Sequence, residues 1–301
     1  MSVLSVLVLL YGSIFNNASQ AWITGGGNTE RRRSARALTD YIGTELKSAL
    51  LPVEKLSANA QGNLQFVINP PASQVPAEYR HADVIFWQAP LATEATFGDI
   101  AEIGYFVKWD TTPAGDPLPQ LCRFFVNPSS TDASGAIVQN PNYLIFDQNP
   151  ERWLSASVIE TVAPATKASG YVGLFGENVV GFWIRSYGLD GKELPRSFDS
   201  RVGYTSEFKS TDSSGIKQTW TEPRYLPAKV QISIAQVDSH YANRLGPAAS
   251  RLRQTVASAS VRDATEFLEA FRQDAANSPE LAALLPGLRI YSTEVQLANS
   301  R

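Results

Sequence analysis

Cysteine is almost missing from this 301-residue chain. Cys122 stands alone, so no disulfide can close within it. The setting of that residue, Leu121-Cys122-Arg123-Phe124-Phe125, is that of a small buried hydrophobe, and a single thiol does not report the redox compartment. Histidine is nearly as scarce: His81 and His240 lie far apart, and neither has the neighbours a metal ligand needs. A Gly-x-Ser-x-Gly nucleophile elbow is absent. The glycine-rich stretch Gly170-Tyr171-Val172-Gly173-Leu174-Phe175-Gly176 lacks the Lys-Ser/Thr of a phosphate loop and reads as a loop. Charge is sparse, at 18% of residues with a net charge of −3, and excludes a basic nucleic-acid surface. Asp110, Asp116 and Asp212-Ser213-Ser214 carry oxygens that calcium could use, but turn chemistry accounts for them. Asp83, Asp99 and Glu102 sit near strands without forming a recognisable acid/base pair. There is no internal repeat and no long low-complexity tract. The reading is of a protein that is not an enzyme, with no catalytic residue, no cofactor and no metal.

Hydrophobic residues are plentiful, at 44%. A chain this long buries roughly three quarters of its unfolded surface, enough for one large or two small domains. The organising stretch is 1–51. Charge is absent before Glu30, and the chain opens on an apolar run from Met1 to Phe15. That run is shorter than the roughly 18 to 20 residues a spanning helix needs. A secretory signal peptide, a buried core helix and a membrane segment whose beginning is missing all remain open for it. Further on, Ala35, Leu38, Ile42, Leu46 and Ala49 recur at spacings of three and four and predict one apolar helix face. Asn28 fits as N-cap, and Pro52 ends the segment. Gly25, Gly26 and Gly27 together cost roughly 3 kcal/mol in a helix interior, so a hinge is expected there. The Arg31–Arg36 cluster reads as a solvated face or a contact to anionic lipid, and Trp22 falls where an interfacial aromatic would sit.

Beyond the helix, residues 52–82 read as a linker with one short strand at Leu64–Ile68. From 83 to 301 strands dominate: Asp83–Gln88, Ile100–Trp109 paired as a hairpin with Gln120–Val126, Asn178–Tyr187 ending at the Asp190-Gly191 turn, and the cleanly alternating Lys229–Val237. Tyr143–Phe146 adds a short strand, and Asn149-Pro150 reads as a helix start. Asp263-Ala264-Thr265-Glu266 resembles a capping box opening a helix on which Phe267 and Phe271 share a face, and Leu288–Leu297 forms a last strand. Trp87, Trp109 and Trp183 lie inside strands, where core packing is the default.

Three segments carry a family resemblance: Val3–Trp22, then Glu30-Arg31-Arg32-Arg33-Ser34-Ala35-Arg36-Ala37-Leu38, then Ile42-Gly43-Thr44-Glu45-Leu46-Lys47-Ser48-Ala49-Leu50. Together they resemble the N-terminal helix of prepilin-type proteins. Among these they are most like the J-type minor pseudopilins of type II secretion and the W-type minor pilins, and closest to the group called Verru_Chthon cassette protein C. In the head, Leu121-Cys122-Arg123, Val179–Gly191, and Trp220 followed by Leu226-Pro227 and Lys229–Val237 are similar in order to J-type strands. The tail from about Ser239 is least covered. This chain departs from the family at its start: it has no basic leader, no processing glycine and no glutamate in the apolar run. Met1 falls where the middle of the family's apolar stretch would be.

The resemblance implies an α+β, pilin-like fold, a long N-terminal helix packed on mainly antiparallel β-sheet. It implies residues 1–51 as membrane or filament spine, 52–82 as linker, and 83–301 as a pseudopilin head with a C-terminal helix and strand. The implied function is that of a minor pseudopilin, a structural subunit of a type II secretion or type IV pilus-like filament, with a place at the tip left open. Val3, Leu4, Val6, Leu7, Leu10, Ile14 and Phe15 would then carry membrane or filament packing, and Ala35, Leu38, Ile42 and Leu46 would seat the helix on the head. The implied partners are other pseudopilins or minor pilins and the membrane, with no nucleic acid. The implied location is the inner membrane, single-pass, with a periplasmic or extracellular head. The alternative is a secreted or anchored β-rich binding module for carbohydrate or a surface partner.

Overall fold

The computed structural model describes residues 36–50, 66–71, 75, 79–92, 95–111, 115–143, 168–169, 172–200, 204–209, 217–222 and 226–298. The chain divides into two units at residue 38, and the elements below belong to the second, Thr39–Arg301, apart from a helix whose described residues start at 36.

That helix, α1, covers residues 36–47. Its end is set by hydrogen bonding: Ser48 and Ala49 donate to the carbonyls of Glu45 and Leu46, tightening the last turn, and Leu50 N–H then donates to Gln88 O at 3.0 Å. Once a backbone donor is committed to a strand, the helical ladder cannot continue. Among the described residues fourteen strands follow: β1 (Phe66–Ile68), β2 (Ile85–Ala89), β3 (Ala101–Thr111), β4 (Pro117–Val126), β5 (Ser129–Thr131), β6 (Ile137–Gln139), β7 (Ala168–Ser169), β8 (Val172–Glu177), β9 (Val179–Tyr187), β10 (Phe198–Asp199), β11 (Tyr204–Lys209), β12 (Lys217–Glu222), β13 (Lys229–Val237) and β14 (Leu288–Gln296). Between β13 and β14 lie α2 (Leu245–Val256), α3 (Ala264–Ala276) and α4 (Pro279–Ala282).

The strands form a seven-stranded sheet in the order β10-β1-β2-β3-β4-β8-β7, a three-stranded sheet β14-β13-β9, and two separate hairpins, β5-β6 and β11-β12. The register of the large sheet follows its alternation. Ile85 opposes Tyr105 and Trp87 opposes Ile103, while Tyr105 in turn opposes Arg123, so these side chains share one face. The other face carries Val67, Phe86, Phe106, Cys122, Phe124 and Val126, buried with Val75, Tyr79, Val84 and Tyr143. Burial pushes the Cys122 thiol up to about 12, which keeps it protonated and unreactive.

Phe86 lies flat over Gly104: a Cβ at 104 would stand 2.1 Å from Phe86 Cδ1. Gly104→Ala is therefore expected to destabilise by about 1–3 kcal/mol through overpacking, read as a lower denaturation midpoint. An unchanged midpoint would show that Phe86 has room to turn.

In the small sheet, Val230, Ile232 and Ile234 share a face with Phe182, Ile184 and Val295. On the opposite face, the Trp183 ring lies 4.9 Å from Phe267 of α3. Asp263 caps α3, accepting from Thr265 N and Glu266 N at 2.8 and 2.9 Å. Glu266 reaches back one residue further than a capping box does, accepting from Arg262 N at 2.7 Å.

Two expectations need correction. The long N-terminal helix packed on sheet is not seen: the described residues are mainly antiparallel strands with short helices, and the described part of the helix preceding the head covers 36–47. The single-pass inner-membrane location fails too, because among the described residues no helix is long and apolar enough to cross a membrane. The described part of α1 carries Arg36, Asp40, Glu45 and Lys47, a charge in every turn. Both expectations leaned on the apolar run Met1–Phe15, which lies outside the described residues.

The Gly170–Gly176 stretch, expected as a loop, contributes Val172–Glu177 as strand β8. Its register against β4 shifts between Leu121 and Cys122, so the strand pairs through a bulge that period-2 alternation does not reveal. Leu245–Val256 was not anticipated as a helix, nor was the β5-β6 hairpin anticipated. The expected strand at Tyr143–Phe146 and helix start at Asn149 lie outside the described residues beyond Tyr143, as do Asp212, Ser213 and Ser214.

Candidate functional site

The residues with the most unusual chemistry for their position are where α1 meets the large sheet. Glu45 and Arg123 are 6% and 3% exposed. Burying either charge alone would cost several kcal/mol, and the structure places them against each other. Arg123 Nη2 donates to Glu45 Oε1 and Arg123 Nε donates to Oε2 at 3.2 Å, a two-pronged ion pair. Tyr105 OH also donates to Oε2, at 2.5 Å. Tyr105 and Arg123 are cross-strand partners on β3 and β4, so one carboxylate on the helix grips two adjacent strands.

Aromatic rings enclose the group. The Arg123 guanidinium lies 4.1 Å from the centre of the Phe125 ring and 5.8 Å from that of Tyr41. Phe175 of β8 touches both Tyr41 and Tyr105, each at 5.3 Å between ring centres. Burial, together with the Glu45 charge, pushes the Tyr105 hydroxyl well above its ordinary value. Burial alone would lower Arg123, but its hydrogen bonds to Glu45 together with the charges of Tyr105, Glu45 and Tyr41 more than reverse that. Tyr105 and Arg123 thus keep their roles of donor and cation across the ordinary pH range. Both oxygens of Glu45 are engaged and the group is closed to solvent, so it offers no substrate a place: this is a lock that fixes how α1 sits.

The other side of α1 approaches the small sheet. A Cβ on Gly43 would come within 3.1 Å of Val295 Cγ2 on β14, so glycine is what allows this close seat. Two sheets therefore touch the described part of α1, at Glu45 and at Gly43.

A second polar centre joins the two sheets directly. Asp83, 2% exposed, donates its N–H to Phe182 O at 2.9 Å, and its Oδ2 accepts from Ile184 N at 2.9 Å. It thereby closes the edge of β9 as a neighbouring strand would. Its Oδ1 accepts from Asn69 Nδ2 and Arg196 Nε, both at 2.9 Å. Asn69 holds a left-handed backbone, φ 49°, which its own amide bonds support. A third cluster joins β9 to the N-terminus of α3. Arg185 bonds Glu193 at 2.6 Å and Asp263 at 3.0 Å, and these hydrogen bonds, that to Glu193 first, raise the Arg185 guanidinium further above its usual range.

Of the residues singled out from sequence, Ile42 and Leu46 are fully buried and Leu38 is half-buried. Ala35, Trp22 and the seven residues from Val3 to Phe15 lie outside the described residues. Trp87 and Trp183 are fully buried, and Trp109 is 9% exposed. His240 is exposed and lies edge-on to Tyr241. Asp110 accepts from Thr111 N at 2.8 Å, a local turn bond. Asp83, Asp99 and Glu102 are not brought together as a pair: Asp83 joins the sheets, Asp99 is exposed, and Glu102 is fully buried on β3. Among the described residues no group of three metal-ligating side chains converges. The Glu45–Arg123–Tyr105 lock was missed from sequence, although a lone arginine inside the apolar run Leu121–Phe125 is the signal that could have revealed it.

No family model matches the sequence, and no curated protein matches it either. Among solved structures the chain is similar to a type IV-like pilin from Thermus thermophilus, at 9% identity over 90% of this chain and 98% of that one, with a TM-score of 0.33. That score lies below the level at which two chains can be said to share a fold.

Proposed function

We propose that this chain is a pilin-type assembly subunit, a minor pseudopilin of a type II secretion or type IV pilus-like filament, whose head meets other pilins and carries out no chemistry. The observation that carries the reading is the Glu45–Arg123 pair. Glu45 belongs to the helix segment Ile42–Leu50, and Arg123 to the strand segment Leu121-Cys122-Arg123. Both segments were chosen for their likeness to prepilin-type proteins, and the fold brings them into a buried, two-pronged contact. A filament subunit must hold its head in one orientation to the helix that leads into it. A desolvated ion pair with fixed fork geometry does this better than apolar contacts, which tolerate sliding. Head residues then present a constant surface to neighbouring subunits.

The test is co-assembly. The chain, tagged after Arg301, is expressed in its native host, and sheared surface filaments are sedimented and probed for the tag. The expected result is that the tag sediments with filaments and leaves that fraction when the major pilin gene is deleted. Recovery of the same amount in the unsedimented fraction, with or without the major pilin, would overturn the reading.

A further inference from the structure

A cleft of about 400 Å³ opens beside the Asp83 junction, lined among others by Pro70, Arg80, His81, Asp83, Arg196 and Ser197. Among the described residues its charges do not balance. Asp83 already accepts from Ile184, Asn69 and Arg196, which leaves it no strong bond to offer another cation. Arg196 spends only its Nε on that carboxylate. Arg80 is half-buried, and its guanidinium donates only through Nη1, to the carbonyl of Pro70 at 2.5 Å. Among the described residues it has no carboxylate partner. Burial pulls its pKa below the ordinary arginine value, the mark of a cation held partly out of water. Ala257, at the end of α2, also reaches the cleft. A helix C-terminus carries about half a negative charge, which offsets part of the surplus but not a whole guanidinium.

We propose that this cleft binds an oxyanion, a phosphate or carboxylate group, between Arg80 and Arg196. The guanidinium fork matches the paired oxygens of either group, and the N–H donors that neither Asp83 nor Pro70 uses would hold them. The surplus stands out in a chain whose net charge is −3. The site is independent of the pilin-type reading, which rests on the contact between α1 and β4.

The probes are inorganic phosphate and acetate, each titrated into the full chain at constant ionic strength, with arginine Nε–H resonances and calorimetry as readouts. The expected result is saturable binding of at least one probe, with resonance shifts confined to Arg80, Arg196 and their neighbours. Arg80→Gln should weaken binding at least tenfold, Arg80→Lys less, and Arg272→Gln on the exposed face of α3 not at all. Saturation by phosphate alone or acetate alone supports the proposal and identifies the group. A linear response no different from chloride, shifts spread over other surface arginines, or equal affinity in folded Arg80→Gln would each overturn it. The resonance map decides even if Arg80→Gln fails to fold.

Discussion

Glu45→Ala should destabilise the protein by about 3–5 kcal/mol, the cost of leaving Arg123 buried without its counter-charge. In chemical denaturation this appears as a lower midpoint with little change in slope. The size follows from the surroundings. Arg123 is 3% exposed and ringed by Phe125 and Tyr41, so water cannot replace the carboxylate without α1 lifting. Tyr105 loses its acceptor at the same time. Tyr105→Phe removes one hydrogen bond to a charged acceptor and should cost less, about 1.5–3 kcal/mol. The decisive comparison is the double variant Glu45→Leu with Arg123→Met. Removing both charges takes away the desolvation penalty, so it should recover most of the loss. Its stability should approach that of the original chain, while its head-to-helix register loosens. A loss under 1 kcal/mol in Glu45→Ala would mean that the pair is hydrated in solution and locks nothing.

The contrast between the pair and its surroundings explains what could be read from the residues. Strand existence was legible wherever alternation was clean: Lys229–Val237 matches β13 residue for residue, and its polar partners Lys229, Gln231 and Ser233 fall on one face. The Asp263 cap was legible because capping is local chemistry. The 3.6-residue pattern through Ile42 and Leu46 marks one buried face of α1, with Ala49 buried just past its end, but Thr39, Gly43 and Glu45 are buried too, because the helix touches two sheets. A helix with sheet on two sides breaks the rule that polar positions face water, so the spacing of its apolar residues does not reveal that Glu45 is buried. Pairings across long sequence separations, 78 residues between Glu45 and Arg123 and 101 between Asp83 and Ile184, leave no local trace of which partner a residue meets, even where a lone arginine in an apolar run signals that one is needed. Leu245–Val256 escaped because its interior carries glycine, proline and two arginines, which blur the periodicity although Leu252 and Val256 are fully buried.

The second large effect is expected at Asp83. Asp83→Ala removes the acceptor of three donors, of which Ile184 N–H lies in the buried seam between sheets and Arg196 is charged. An unsatisfied buried donor costs about 1–3 kcal/mol and a charged one more, so a combined loss of about 3–5 kcal/mol is expected. Asp83→Asn keeps one carbonyl oxygen for Ile184 or Arg196 but not both, and should cost roughly half as much. Hydrogen exchange distinguishes a broken seam from general loosening. In Asp83→Ala the Ile184 amide should lose protection beyond the global loss, because its only acceptor is gone. Amides in the β13–β14 ladder, such as those pairing Ile232 with Thr293, keep their backbone partners and should follow global stability alone. If Ile184 and the β13–β14 amides change in step, Asp83 is one packing contact among many. If Ile184 is released first, the Asp83 carboxylate is what holds the sheets together at this seam, and the Arg80–Arg196 cleft stands beside a seam that can open.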